Sequence, residues 1–312
     1  MSHFILLEGA SESSSAEFEN FLFNRERHRI SQSSGGWKTY SWVNEDSRRT
    51  VAQIHFCIFD GVASSPFRAP FGSFELMDDL APDSLLSFIA ALERRLQAAG
   101  VKKITIKDMP HQHRPQVASL LTASLLDAGF RIVNHEINSG LVVDERPWED
   151  KISHAERKRL KRCKNEGLEF GLVDLAKIDQ VYEFISACRQ ERGATLSMSL
   201  DQIKKTLQTC AGDFLLFGVF QNNRLIAAAI TVKVNTRILY DFYHAHEKAS
   251  DHLSPVVLLV DGIYSYCRDR DVSLLDLGTS AVDKKINFTL LNFKNQIGGE
   301  PSLKLTFEKD IP

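Results

Sequence analysis

Apolar positions recur every three to four residues in APDSLLSFIAALERRLQAAG, from Ala81 to Gly100. Leu85, Leu86, Ile89, Leu92 and Leu96 share one helical face, Pro82 suits a first helical position and Gly100 a terminus. The period then changes to two in VKKITI, which reads as a strand. From Ser254 the same order returns in SPVVLLVDGIYSYCRDRDVSLLDLGTS: Ser254 as cap, Pro255 at the first helical position, an apolar helix, a polar turn, and a strand ending at Asp276 to Gly278.

An aromatic-rich stretch that reads as a strand precedes each copy, SPFRAPFGSF (Ser65 to Phe74) and ILYDFYHAH (Ile238 to His246). A second helix ending at glycine and a further strand follow each copy: PQVASLLTASLLDAGF with GLVVD, and LLNFKNQIGG with SLKLTF. The chain is one architecture written twice, offset by about 170 residues. Ahead of the shared helix lie antiparallel-looking strands, VAQIHFCIFD in the first half and DFLLFGVF, RLIAAAITV and RILYDFYHA in the second, with Gln221-Asn222-Asn223 as a polar turn. The predicted class is α+β, mixed α/β: two tandem domains, 1–145 and 146–312, each a mixed, largely antiparallel sheet flanked by helices, the second opening on a basic helix.

Composition narrows this further. A chain of 312 residues suits two domains of about 150. The net charge of −2 gives no overall attraction to nucleic acid or to an anionic membrane, so any basic site must be local. Cys57, Cys163, Cys188, Cys210 and Cys267 are odd in number and form no CxxC pair, which argues against a disulfide framework or a zinc site and fits a reducing cytoplasm. The start, MSHFILLEGASESSS, has no basic region ahead of its apolar run and is not expected to be a signal peptide. Runs such as LIAAAITV are far shorter than the roughly 20 residues a membrane span needs. A cytoplasmic protein without membrane insertion or bound metal is the expectation.

Several stretches carry a family likeness: SQSSGGWKTY, PFRAPFGSF, the basic ERKRLKRCKNEGLEF (with Leu160, Lys161, Cys163, Lys164 and Gly167), DLGTS, Asn287 and FKNQIGGEP. In order and spacing they resemble the GNAT acyltransferase fold, and the doubled form resembles the Fem-type acyltransferases and related GNAT-family N-acetyltransferases. The resemblance covers nearly the whole chain. It implies transfer of an acyl or aminoacyl group to an amine by direct attack, without metal, with the carbonyl held by a backbone N–H at a splayed strand.

Strict alternation in ILYDFYHAH puts Ile238, Tyr240, Phe242, His244 and His246 on one face and Leu239, Asp241 and Tyr243 on the other. His244 or His246 is a candidate base, against the simpler reading of histidines at a strand end. Tyr243 or Tyr240 is a candidate to protonate the leaving group or line the substrate, against a core tyrosine with its hydroxyl at the rim. Asp276, between leucines, must face a polar cleft or find a partner; it reads as base or amine anchor, or as a turn residue feeding Gly278. The first copy has Thr105 there.

The resemblance also implies a glycine-rich phosphate loop, where this chain has EKASDHLSP, leaving Ser254 and Val256 at a helix N-terminus to hold an acyl-CoA (acetyl-CoA) co-substrate. Six of the eight residues from Arg157 to Lys164 are basic, either a solvated helix face or a phosphate reader in which Arg157, Lys161 and Lys164 hold a nucleotide-linked acceptor or a tRNA backbone. Arg192-Gly193 reads as a helix end. Asn287 and Lys294 complete the candidate substrate set. The matching helix of the first half has no cation, so Lys294 is either special to the second half, neutralising a substrate phosphate or carboxylate, or a complement to the helix dipole.

The expected function is an N-acyltransferase that moves an acyl group from acyl-CoA to a primary amine of a small-molecule or nucleotide-linked acceptor. The alternatives are Fem-like aminoacyl transfer from aminoacyl-tRNA to a cell-wall precursor, with tRNA the less favoured donor, and a non-catalytic GNAT binding module.

Overall fold

The computed structural model describes residues 3–9, 18–33, 35–282 and 285–312. Parts of the N-terminal stretch weighed above as a leader (residues 1, 2 and 10–15) and Ser34 of SQSSGGWKTY lie outside them. In chain order the first elements are β1 (Phe4–Glu8), α1 (Glu26–Gln32), β2 (Trp37–Asn44), β3 (Arg49–Phe59), β4 (Val62–Ser65), β5 (Glu75–Leu76), α2 (Pro82–Ala98), β6 (Lys103–Lys107) and α3 (Pro115–Asp127). Then come β7 (Arg131–Val142), α4 (His154–Asn165), β8 (Glu169–Val173), α5 (Ile178–Gln190), α6 (Leu200–Cys210), β9 (Phe214–Gln221), β10 (Arg224–Lys233) and β11 (Ile238–His246). The chain closes with α7 (Pro255–Arg268), β12 (Leu274–Thr279), β13 (Ala281–Val282), β14 (Lys285–Ile286), α8 (Phe288–Gln296) and β15 (Glu300–Asp310).

Two compact units emerge: Met1–Glu136 with Ser302–Pro312, and Ile137–Pro301. This differs from the expected division at 145/146, because the two halves exchange their closing strands. β15, the last strand of the second half, pairs antiparallel with β6 of the first unit, from Thr306↔Lys107 to Asp310↔Lys103. β7, the last strand of the first half, gives its later residues to the second unit, where Leu141 faces Leu275 and Gly140 faces Asp276 of β12.

In the first unit the strand order is β1-β2-β3-β4-β6-β15, with β5 on β3. α2 buries Leu85, Phe88, Ile89, Leu92 and Leu96, so Phe88 takes the core place expected of Leu86, which is 41% exposed. Gly100, at φ +77°, ends the helix, and Val101 donates back to Leu96 O. Ser65 to Phe74 is not a strand beyond Ser65. Pro66 and Pro70 lack the N–H a ladder needs, and Gly72 lies so close to the Ser65–Pro66 backbone that a Cβ would stand 2.7 Å from Pro66 N.

In the second unit the order is β7-β12-β11-β10-β9-β8. β9 and β10 form a hairpin whose turn residues, Asn222 and Asn223, have φ of 50° and 64°, the left-handed pair that asparagine tolerates and a two-residue hairpin requires. α7 keeps Asp261, Ser265 and Arg268 on one less buried side, and Val257, Leu259, Val260, Ile263, Tyr264 and Cys267 are all buried against α4 and the sheet. β4 pairs parallel with β6 in the first unit as β11 does with β12 in the second, the repeat the periodicity predicts. Among the described residues no helix is long and apolar enough to cross a membrane.

Gly262 sits in α7 where a Cβ would meet the Phe170 ring at 2.3 Å, and Phe170 stacks on the buried Phe217. Alanine favours helix by about 1 kcal/mol over glycine, but forcing the ring aside costs about 1 to 3 kcal/mol. Gly262→Ala is therefore expected to lower the urea midpoint of unfolding rather than raise it; a raised midpoint contradicts this packing.

Candidate active site

β11 pairs with β12 only from Ile238↔Leu274 to Tyr240↔Asp276, then leaves it. Beyond Tyr240 the β12 side of β11 has no register partner, so the two strands open a V with main-chain groups at its mouth. Just past that point β11 carries one residue too many. Thr231 of β10 faces Asp241 and Ile230 faces Tyr243, which leaves Phe242 as a bulge.

The extra residue reverses the alternation expected from the sequence. Residues directly opposed in an antiparallel pair share a face; Asp241 pairs with Thr231 and His244 with Ala229, two positions apart on β10. Asp241 and His244 therefore point the same way, and His244 Nδ1 lies 2.6 Å from Asp241 Oδ2. The Asp241 side chain is 3% exposed and that of His244 25%. Asp241 Oδ1 is buried without a hydrogen-bond partner among the described residues. With its Nδ1–H on the carboxylate, His244 keeps the Nε2 lone pair for a substrate proton.

Tyr243 moves to the opposite face. It is buried, its hydroxyl hydrogen-bonds Ser197 Oγ and accepts from Met198 N at 3.0 Å, and Arg189 lies over its ring. This tyrosine anchors the segment before α6 instead of facing the opened strand. Arg189 also donates to His244 O at 3.1 Å. His246 is held at the rim by Asp251, 2.7 Å away, and its pKa is lowered by burial, with the Asp251 hydrogen bond acting against that.

At the end of β12, Asp276 Oδ1 accepts from Asn138 Nδ2 and from Gly278 N, both at 2.8 Å. Gly278 has φ +73°, and a Cβ there would stand 3.2 Å from the Tyr240 ring, so Tyr240 covers the turn. Lys294 is only 3% exposed, and its ammonium donates to Gly278 O at 2.8 Å and Thr279 O at 2.9 Å. It pins this turn from below and is not a surface cation facing solvent. Burial lowers its pKa to about 8, while the nearby Asp276 and Asp241 carboxylates pull the other way. Asn287 caps α8, accepting from Leu290 N at 3.1 Å.

Ser254 precedes α7 at φ 57° and makes no side-chain cap; the expected serine cap is absent because this residue is left-handed. Val256 is buried in the first turn. The acids of EKASDHLSP are spent internally: Glu247 pairs with Arg224, and Asp251 with Arg192 and His246. Arg192 thus does more than end a helix. On α4, Lys164 pairs with Glu149 at 2.8 Å and Asp261 at 3.4 Å, whereas Arg157 and Lys161 are exposed and make no ion pair among the described residues. The structure therefore gathers Asp241, His244, Tyr240, Asp276 and Lys294 around the β11–β12 opening and leaves Arg157, Lys161 and Lys164 on α4. Asp241 is the residue the sequence reading passed over.

The family model described as an acetyltransferase (GNAT) domain matches residues 153–285. That stretch has the GNAT fold. Among solved structures, FemX is similar at 13% identity over 94% of this chain and 92% of its own, with a TM-score of 0.72. L-PGS from Bacillus licheniformis is similar at 12% identity over 91% and 87%, TM-score 0.55. A conserved protein of unknown function from Bacteroides thetaiotaomicron is similar at 8% identity over 96% and 94%, TM-score 0.57. At these identities the likeness is one of fold, and the chain shares its fold with FemX. No curated protein matches it.

Lys294 loses its proton near pH 8 in the folded chain, against an ordinary 10.5. Between those values the unfolded chain binds more protons, so this residue's contribution to stability rises with pH across the window. Denaturation near pH 7 and near pH 10 is expected to show the gap between the unsubstituted chain and Lys294→Met moving toward the unsubstituted chain by on the order of 2 kcal/mol. A pH-independent gap counters a buried ammonium.

Proposed function

We propose that the GNAT unit transfers an acyl group from an acyl-CoA thioester to a primary amine, with His244 as general base. The observation that carries this reading is the Asp241–His244 pair beside the point where β11 leaves β12. The amine nitrogen attacks the thioester carbonyl, and main-chain N–H groups at the V donate to the developing oxyanion. His244 Nε2 takes the proton the nitrogen sheds, and Asp241 stabilises the imidazolium. The C–S bond breaks, the amide forms, and the thiolate takes the proton back from His244. Asp276 and Lys294 hold the Gly278–Thr279 turn that borders the opening. Ser254 and Val256 at the start of α7 would receive the donor's phosphates.

A second donor, aminoacyl-tRNA, is favoured by one feature: Arg157, Lys158 and Lys161 are exposed on α4 and unpaired among the described residues, a surface suited to a phosphate backbone. The acceptor would then be a nucleotide-linked or cell-wall amine.

A thermal-shift panel and a transfer assay with acetyl-CoA, longer acyl-CoA and aminoacyl-tRNA choose between donors. With the productive donor, His244→Gln is expected to lower the rate by roughly 10²- to 10⁴-fold, and Asp241→Asn by at least roughly tenfold. A rate unmoved by His244→Gln removes it as the base, and the absence of any shift or transfer with every donor favours a binding module.

A further inference from the structure

The first unit has polar machinery of its own. Arg29 of α1 donates to Thr39 Oγ1 on β2 at 3.2 Å, Thr39 Oγ1 lies 2.8 Å from His55 Nδ1 on β3, and His55 Nε2 lies 3.9 Å from Glu75 Oε2 on β5. Thr39, His55 and Glu75 are buried. The threonine hydroxyl thus links the guanidinium to the imidazole, whose Nε2 is turned toward Glu75. Glu75 Oε1 is held by Phe21 N at 2.6 Å. Three atoms of the network, Arg29 Nε, His55 Nε2 and Glu75 Oε2, are buried without a hydrogen-bond partner among the described residues. Such orphans each cost about 1 to 3 kcal/mol, so a purely structural copy has a reason to lose them.

Arg29 and Thr39 also form the floor of a pocket of about 660 Å³. Trp37 forms one wall, with the Arg29 guanidinium 5.6 Å from its ring centroid, and Ile30, 52% exposed, stands at the mouth. The lining has a specific charge balance. Lys38 and Arg95 both pair with Glu8, and Glu26 adds a second acid, so three cations face two acids and one positive charge is left over. Arg29 makes no ion pair among the described residues. Burial holds the His55 pKa well below its ordinary value and pushes Glu75 up to about 8; at Arg29 burial lowers the pKa, with the Glu26 and Glu75 carboxylates acting against it.

We propose that this pocket binds a small monocarboxylate carried on an apolar or aromatic body, the carboxylate on the Arg29 guanidinium and the body against Trp37 and Ile30. A planar guanidinium matches a carboxylate two-point, and the Thr39–His55–Glu75 chain fixes its orientation in advance. One surplus charge suits a monoanion; a phosphate dianion would meet Glu26 and Glu8 with only one cation to compensate. The site lies wholly in the first unit and is independent of His244.

The test is titration of the full chain with phenylacetate, following the Trp37 indole N–H resonance, which Trp37→Phe identifies. A saturable shift is expected, weakened at least roughly tenfold by Arg29→Gln. Ile30→Glu, which adds a negative charge at the exposed mouth, is expected to weaken binding similarly and keeps the test decisive where Arg29→Gln fails to fold. Phenyl phosphate is expected to bind more weakly than phenylacetate, and His244→Gln to bind phenylacetate unchanged. The proposal is overturned by no saturation at millimolar phenylacetate, by equal binding in folded Arg29→Gln or Ile30→Glu, or by tighter binding of phenyl phosphate.

Discussion

One extra residue in β11 sets the geometry of the candidate site in the second unit. Without Phe242 as a bulge, Asp241 and His244 would lie on opposite faces of the sheet, and His244 would share a face with Tyr240. With it, the imidazole turns onto a buried carboxylate that fixes its tautomer. The bulge also bends the strand, and it falls just beyond the last residue paired with β12. The strand opening and the orientation of His244, the proposed base, are thus set by the same few residues.

The floor of that opening depends on a buried cation. Gly278 turns the chain with a positive φ where the β12–β7 register shifts, and the Lys294 ammonium donates to the carbonyls of both Gly278 and Thr279. A lysine is expensive to bury, and the depressed pKa records the penalty. Asp276 restrains the same turn from its amide side through Gly278 N. The turn is held by a carboxylate on a main-chain donor and an ammonium on two main-chain acceptors.

The repeat, the class and most elements were legible because they rest on periodicity and on proline and glycine at helix ends: Pro82, Gly100 and Pro255 all mark the helix boundaries they predict. Unit membership was not, since nothing local in SLKLTF says that its neighbour is β6 of the other half. Position in the chain argues for the wrong partner, and only three-dimensional pairing decides. Lys294 stood out by type, but its partners are two main-chain carbonyls that no side-chain pattern reveals. Asp241 was hidden by a bulge, which has no composition of its own. The rule that flagged Asp276, an acid inside an apolar strand, applies equally to the aspartate in LYDFYH and would have found it.

The first unit shows why a repeat need not be a spare. Its contribution to architecture is met by strands and by apolar faces such as Leu85, Phe88 and Leu92, which need no charge. Glu75, His55 and Arg29 hold Phe21 N and Thr39 Oγ1, yet leave other buried donors and acceptors unmet. Replacing such a network by apolar residues of similar size is often neutral or stabilising. Its presence beside a pocket whose lining carries one more cation than acids is what the proposed monocarboxylate would account for.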